Sequence, residues 1–435
     1  MSRATILMAL LGVSGVAFAA AETKGPTSRP ASRRVTPLPD LPVPPGGWSS
    51  MNPNPKVAAM PDNSWMVLET TFVPKGATSF RTMKFGADYR KLGHPKTEVC
   101  LVYDEARNVT IWFGGCSAGY TNQTLLLSVS DATWYQAQPE HVDFLRKGKN
   151  VPPKFAVGRP HGQCSYGACY DSHHRLYIKG MGICSGWPYD VSTWAYDVSR
   201  NRWQRLAGWD TGGTGRTGCY KMVYDRDHKV VVLFGGLSTG ERKNDTWLFD
   251  VAKRQWRQAK VTGPAPAGRF YQHMVYDEKH KKVVLFGGEE LPYSSHKFLN
   301  DTWTFDAATG AWTEMKPKVS PPGRKMGAMA YDSANGICIL VGGRVGQGLK
   351  NCFSDTWAYD LAANEWKDMK PPGQPTYYGL FQAAYDRVNN VTVYFSREGK
   401  TCLYRYRATP LPVPGVRPVA GQRLDGKSRG KSRFG

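Results

Sequence analysis

The sequence predicts an all-β fold, a β-propeller of six four-stranded blades with seven as the alternative. Three observations predict it. A Tyr-Asp pair recurs six times at near-constant steps, a Gly-Gly pair follows it at a fixed offset, and two tryptophans nine residues apart close most units. The composition agrees. A chain of 435 residues with 41% hydrophobic and 12% aromatic residues can bury a core, which excludes disorder as its main state. The 46 glycines and 30 prolines favour turn-rich β structure over long helices and argue against a coiled coil.

The Tyr-Asp pairs are Tyr103-Asp104, Tyr170-Asp171, Tyr224-Asp225, Tyr276-Asp277, Tyr331-Asp332 and Tyr385-Asp386, at steps of 67, 54, 52, 55 and 54 residues. Eleven residues after the tyrosine stand Gly114-Gly115, Gly235-Gly236, Gly287-Gly288 and Gly342-Gly343. The second unit has Gly180-Met-Gly182, and the sixth departs with Ser396-Arg397. Asp-Thr-Trp follows at 245–247, 301–303 and 355–357, with Ser192-Thr-Trp194 as a variant. The second tryptophans are Trp203, Trp256, Trp312 and Trp366, and the first unit keeps the spacing with Leu125 and Trp134.

Each unit reads as two hairpins. In the fourth, Met274–Tyr276 and Val283–Phe286 flank a polar turn, and Thr302–Asp306 and Ala311–Met315 flank Thr309-Gly310. Four short strands cannot bury both faces alone. Radial packing of successive units buries them and leaves only short edges. These residues resemble kelch repeats over roughly residues 100–407, and the resemblance implies a kelch-like β-propeller. Such repeats mostly bind and occasionally catalyse.

In the sixth unit the position of the second tryptophan falls near residue 412, where Pro410-Leu-Pro-Val-Pro414 argues against a ladder strand. The missing outer strand must come from the N-terminal side. Two segments fit: Gly47–Pro53, similar to Ala311–Pro317, and Asn63–Leu68, similar to Asn201–Leu206. Closure by an N-terminal strand is therefore expected, with the propeller spanning 48–407. The longer links 66–99 and 135–158 are insertions without an assigned place.

Residues 1–21 read as a secretory signal peptide: Arg3, a short apolar run from Ile6 to Ala20, and Ala17-Phe-Ala19 as a cleavage signal. The run is shorter than a membrane span requires, and no later stretch would span as a helix. Residues 22–47 form a Pro-rich linker, and 408–435 a basic tail without periodicity. The expected location is secreted or periplasmic, at the cell envelope. Export allows the nine cysteines to pair, and the spacing in the second unit makes Cys164–Cys184 the expected bridge, with bridges between neighbouring blades as alternatives. No C-x-x-C pair is present.

Lys+Arg outnumber Asp+Glu 57 to 35, a net charge of +22. No nucleic-acid module accompanies it, and export argues against that partner. Alternation puts the loop before each inner strand and the loop after Gly-Gly on one face. Gly-Arg recurs before the inner strand at Arg159, Arg216, Arg269 and Arg324, with Gly373-Gln374 in the sixth unit. The loops after Gly-Gly add Arg242, Lys243, Lys297, Arg344 and Lys350, with Tyr120, Trp187, Tyr189, Tyr293 and His296. Guanidinium grips oxyanions bidentately and aromatic rings stack on sugars or peptides, so this face suits an anionic glycan or protein ligand. The bland alternative is that the repeat arginines hold neighbouring loop carbonyls.

The main functional expectation is a non-catalytic binding module, with no cofactor. The alternative is an oxidase or glycan-active enzyme on the same fold. Some kelch-like propellers are copper-radical oxidases similar to galactose oxidase. Their chemistry needs two histidines, two tyrosines and a Cys–Tyr crosslink, and here the nearest pair is Tyr271 and His273 in one strand. Glu289 and Glu290 are the first carboxylates to test for acid–base work, against a reading as a solvated loop. His173 and His174 are expected in a polar turn on the opposite face.

Overall fold

The computed structural model describes residues 52–73, 83–84, 98–115, 122–138, 158–182, 192–208, 216–238, 244–290, 297–346, 351–375, 383–396 and 399–407. Six blades surround one axis, and the expectation of six rather than seven holds. Blade 1 contains Leu101–Asp104, Val109–Phe113, Thr124–Ser128 and Thr133–Gln138. Blade 2 contains Ala168–Asp171, Leu176–Lys179, Thr193–Asp197 and Arg202–Ala207. Blade 3 contains Lys221–Asp225, Val230–Phe234, Thr246–Asp250 and Gln255–Gln258. Blade 4 contains His273–Asp277, Lys282–Glu290, Lys297–Asp306 and Ala311–Glu314. Blade 5 contains Ala328–Asp332, Ile337–Val341, Thr356–Asp360 and Glu365–Asp368.

Blade 6 has only three strands of its own, Ala384–Asp386, Val391–Phe395 and Thr401–Arg405. Ser64–Leu68 supplies the fourth, antiparallel, with Met66 opposite Leu403 and Val67 opposite Cys402. Of the two segments that fit by sequence, the second closes the ring. Before it, Pro55–Ala58 makes one helical turn capped by Asn54. Part of the unassigned 66–99 link also finds a place: Thr71–Val73 runs parallel to blade 1's outer strand, and Met83–Lys84 pairs with it.

The hydrophobic pattern follows from position in the ring. A middle strand is covered by a blade on each side, so Val230–Phe234 is apolar throughout and buried at four of its five residues. An outer strand meets solvent on one face. Glu365–Asp368 and Gln255–Gln258 each bury only their tryptophan. The cores accordingly lie between blades; one cluster joins Val223 and Phe234 of blade 3 to Met274, Trp303 and Trp312 of blade 4.

The recurring tryptophan is a joint between neighbours. Trp366 of blade 5 packs 4.9 Å from Phe286 of blade 4 and 4.8 Å from Tyr359 of its own blade. Its indole N–H donates to the Thr302 hydroxyl of blade 4 at 2.9 Å. Every blade repeats this bond onto the preceding one. Trp203 donates to Thr124, Trp256 to Thr193, Trp312 to Thr246, Trp65 to Thr356, and Trp134 to Thr401. The threonine of Asp-Thr-Trp is thus the acceptor, which the spacing alone did not reveal.

The Tyr-Asp pair ends each inner strand. The Asp386 carboxylate caps the following turn, accepting from the Asn389 amide at 2.9 Å. Tyr103 crosses from blade 1 to donate to that carboxylate at 3.3 Å. Asp386 is fully enclosed, and burial pushes its carboxyl up to about 6. Gly-Gly serves close approach: a Cβ on Gly236 would stand 2.7 Å from Tyr220 Cβ and 2.9 Å from the Gly218 carbonyl. The second glycine's amide reaches the next blade, as from Gly236 to the Arg269 carbonyl at 2.8 Å.

Candidate ligand-binding mouth and the closed end of the channel

The two ends of the axial channel differ. At the turn face, the residue after Tyr-Asp runs Glu105, Ser172, Arg226, Glu278, Ser333, Arg387 around the ring. Glu-Ser-Arg is therefore written twice, a two-fold pattern laid on six blades. The four charged members interlock across the axis. Arg226 bridges Glu105 at 2.6 Å and Glu278 at 3.0 Å; Arg387 bridges Glu105 at 3.1 Å and also Glu278. Burial raises the Glu278 carboxyl despite both guanidinium groups. These four residues and the six tyrosines of the Tyr-Asp pairs line a cavity of about 150 Å³. His174, predicted on this face, caps its turn through Asp171 at 2.6 Å.

The opposite end begins with a collar. Glu98, Ser165, Cys219, Tyr271 and Met326 each precede an inner strand with φ between 55° and 61°. Their backbones link in series: the Ser165 amide donates to Glu98 at 3.0 Å, Cys219 to Ser165 at 2.6 Å, Tyr271 to Cys219 at 2.9 Å, and Met326 to Tyr271 at 3.2 Å. Left-handed backbone at non-glycine positions costs energy, and these amide bonds hold it in place. Beside the collar, blade 4's long hairpin rises as a wall, with Arg269–Phe270 pairing against Glu289–Glu290.

Arg269 and Arg324, expected to ring the mouth, are instead buried at 1% and 0% exposure. Arg324 grips the Asp355 carboxylate with two bonds of 2.6 and 2.7 Å, and donates to the Gly342 and Pro322 carbonyls. Arg269 does the same with Asp301, Gly287 and Ala267. The same aspartates accept the indole N–H of Trp303 and Trp357. Each arginine locks Gly-Gly to Asp-Thr-Trp within its blade, so its donors are consumed. Arg159 is half-buried, and burial lowers its pKa. Arg216 lies in the short strand Arg216–Gly218, paired with Leu237–Ser238. Arg242, Lys243, Tyr293, His296 and Trp187 lie outside the described residues.

Arg344 does reach the mouth. It is half-buried, its Nη2 lies 2.9 Å from Met326 Sδ in the collar, and its Nε is buried without an acceptor. Its charge presses on Lys325, whose pKa burial already lowers. Lys325 is neutralised by Glu289, both under 3% exposed. Glu289 is thus no solvated loop residue but half of a buried ion pair, and Glu290 pairs with Lys297 at 2.6 Å. Sequence reasoning missed Lys325 and Glu98; nothing in the repeat marks either position.

The expected Cys164–Cys184 bridge is not supported. The Cys164 thiol donates toward the Glu98 carboxylate at 3.3 Å, and Cys184 lies outside the described residues.

His273 has both ring nitrogens engaged: Nδ1 with the Phe286 carbonyl at 3.0 Å, Nε2 accepting from the Gly327 amide at 2.8 Å. Burial, with help from the Lys221 charge, lowers its pKa from 6.5 to about 3. The unfolded chain therefore takes up a proton near pH 6.5 that the fold refuses. Stability present above pH 6.5 is lost as pH falls toward 3. At pH 5 the loss is about 2 kcal/mol, from roughly 1.4 kcal/mol per pH unit. Thermal melts between pH 7 and 5 should show this loss, and His273→Gln should flatten it. An equal slope in the variant would refute the assignment.

A family model described as the KLHDC2/KLHL20/DRC7 Kelch-repeats domain matches residues 105–343 and, in a second register, 168–395. The chain is 25% identical to Mei4-dependent protein 6 of Schizosaccharomyces pombe over 43% of its length, covering 27% of that protein. It is 24% identical over 49% of its length to tip elongation aberrant protein 1 of the same yeast, covering 18% of it. It is 31% identical over 38% of its length to human multiple epidermal growth factor-like domains protein 8, covering 6% of it. The chain thus spans only a minor part of these relatives, and the likeness is one of repeats. With the family model covering more than half of the chain, and six blades joined by the repeat's own tyrosines and tryptophans, the chain belongs to the Kelch-repeat β-propeller family and has the fold of a protein-interaction module.

Proposed function

We propose that this propeller is an exported binding module, secreted or held in the periplasm or cell envelope, which recognises an anionic glycan or protein at its Gly-Gly face. The N-terminal signal-like segment supports export. One observation supports the ligand's charge. Among the described residues of that face, Arg269, Arg324, Lys325 and Lys297 are all ion-paired, whereas Arg344 has no carboxylate within 4.0 Å. A guanidinium held half-buried beside Met326 of the collar, with one N–H lacking an acceptor, is organised to receive an oxyanion. The opposite end is spanned by its own ion pairs, which supports entry of the ligand from this side.

The test is binding of the mature protein to arrays of sulfated and carboxylated glycans and of acidic peptides, followed by Arg344→Glu. Reversing the charge should weaken binding at least about tenfold, the cost of losing a charge-assisted contact and adding repulsion. Unchanged affinity in a folded variant would end the proposal for this residue.

A further inference from the structure

Blade 6 has lost the lock that blades 4 and 5 carry, and a pocket stands in its place. The equivalences are fixed by bonding. The Ser396 amide donates to the Lys400 carbonyl at 2.9 Å, as Gly342 does to Asp355 at 3.0 Å. Thr401 accepts the Trp134 indole, as Thr356 accepts that of Trp65. Val67 faces Cys402 across the closing strand, as Asp368 faces Trp357. Lys400 therefore occupies the position of the lock aspartate, Cys402 that of its tryptophan, and Ser396 that of the first glycine. Gln374 follows Pro-Pro-Gly in blade 6, where Arg324 follows Pro-Pro-Gly in blade 5.

All the parts changed together, and their chemistry changed coherently. A large indole became a small thiol, and a carboxylate became an ammonium. The result is a cavity of about 330 Å³ bounded by Gln374, Lys400, Cys402 and the closing-strand residues Trp65, Met66 and Val67. That volume falls within the range of small-molecule sites. Among the described residues no acidic side chain lines it. Val67 is 43% exposed at the rim, on the outer strand of blade 6.

We infer that this pocket is a second ligand site, independent of the mouth, for a small carboxylate with an apolar body. The carboxylate pairs with the Lys400 ammonium, and the apolar body lies against Trp65, Met66 and Val67. It restores to blade 6 a negative charge of the kind that Asp355 supplies in blade 5. Calorimetric titration of the full chain with phenylacetate and its neutral amide, phenylacetamide, tests this. Phenylacetate should bind at least about tenfold more tightly than the amide, and Lys400→Gln should abolish that difference. Val67→Trp, at the exposed rim, should block both probes, as should Cys402→Trp, which restores the repeat's indole. Equal binding of the two probes, no binding of either, or binding that survives Val67→Trp overturns the inference. Since Val67 is half outside the core, its variant reports even where Cys402→Trp fails to fold.

Discussion

Replacing Trp366 by alanine should lower the unfolding free energy by about 3–5 kcal/mol, the usual cost of emptying a buried aromatic site. The residue is 2% exposed and wedged between Phe286 and Tyr359, with its N–H on Thr302. Alanine removes the packing of two blades at once, so the neighbouring sheets cannot collapse without shifting the whole ring. Trp366→Phe keeps most of the packing and drops the bond, and should cost nearer 1 kcal/mol. Denaturant unfolding of the two variants separates packing from hydrogen bonding. A loss below about 1 kcal/mol for the alanine variant would mean that the joints between blades do not carry the fold.

Arg324→Met should be as damaging, by about 3–5 kcal/mol, because it strands the Asp355 carboxylate that now receives two guanidinium bonds. The Gly342 and Pro322 carbonyls lose their donor as well. A ligand-binding arginine behaves differently: its loss weakens binding and leaves the melting point alone. The double variant Arg324→Met/Asp355→Leu should recover much of the loss, since no half of the ion pair is left without its partner. An Arg324→Met protein that melts with the wild type would return this residue to the mouth.

The repeat made the fold legible. Tyr-Asp, Gly-Gly and the spaced tryptophans recur because the same joint is built six times, so each residue type is constrained by the same neighbour. The proline run at 410–414 even showed that blade 6 must borrow a strand. Two segments nevertheless fitted equally, since a single Trp in a short apolar context does not say which segment reaches the gap. The site was far less legible. Gly-Arg looked like a cationic ring because spacing shows position, not partner. The aspartates that consume Arg269 and Arg324 stand 31 or 32 residues later. Arg344 was visible only as one of several loop cations. Its lack of a carboxylate partner, unlike Lys297 among the described loop cations, is a property of three dimensions. Glu289 erred the other way, a charge pair in a loop whose partner, Lys325, sits in the next blade's entry loop.

The indole-to-threonine bonds all point the same way around the axis, from each blade to the one made before it, except where the circle meets itself. Trp134 needs Thr401, and Trp65 needs Thr356. During synthesis on the ribosome, the four blades 2 to 5 emerge with their backward partner already present, whereas Ser64–Leu68 must wait until Thr401–Arg405 has left the exit tunnel. For that interval the nascent chain carries an unsatisfied strand edge and two indoles, Trp65 and Trp134, without their threonine acceptors. Chaperones that guard such edges should engage the growing polypeptide until the last strand is released.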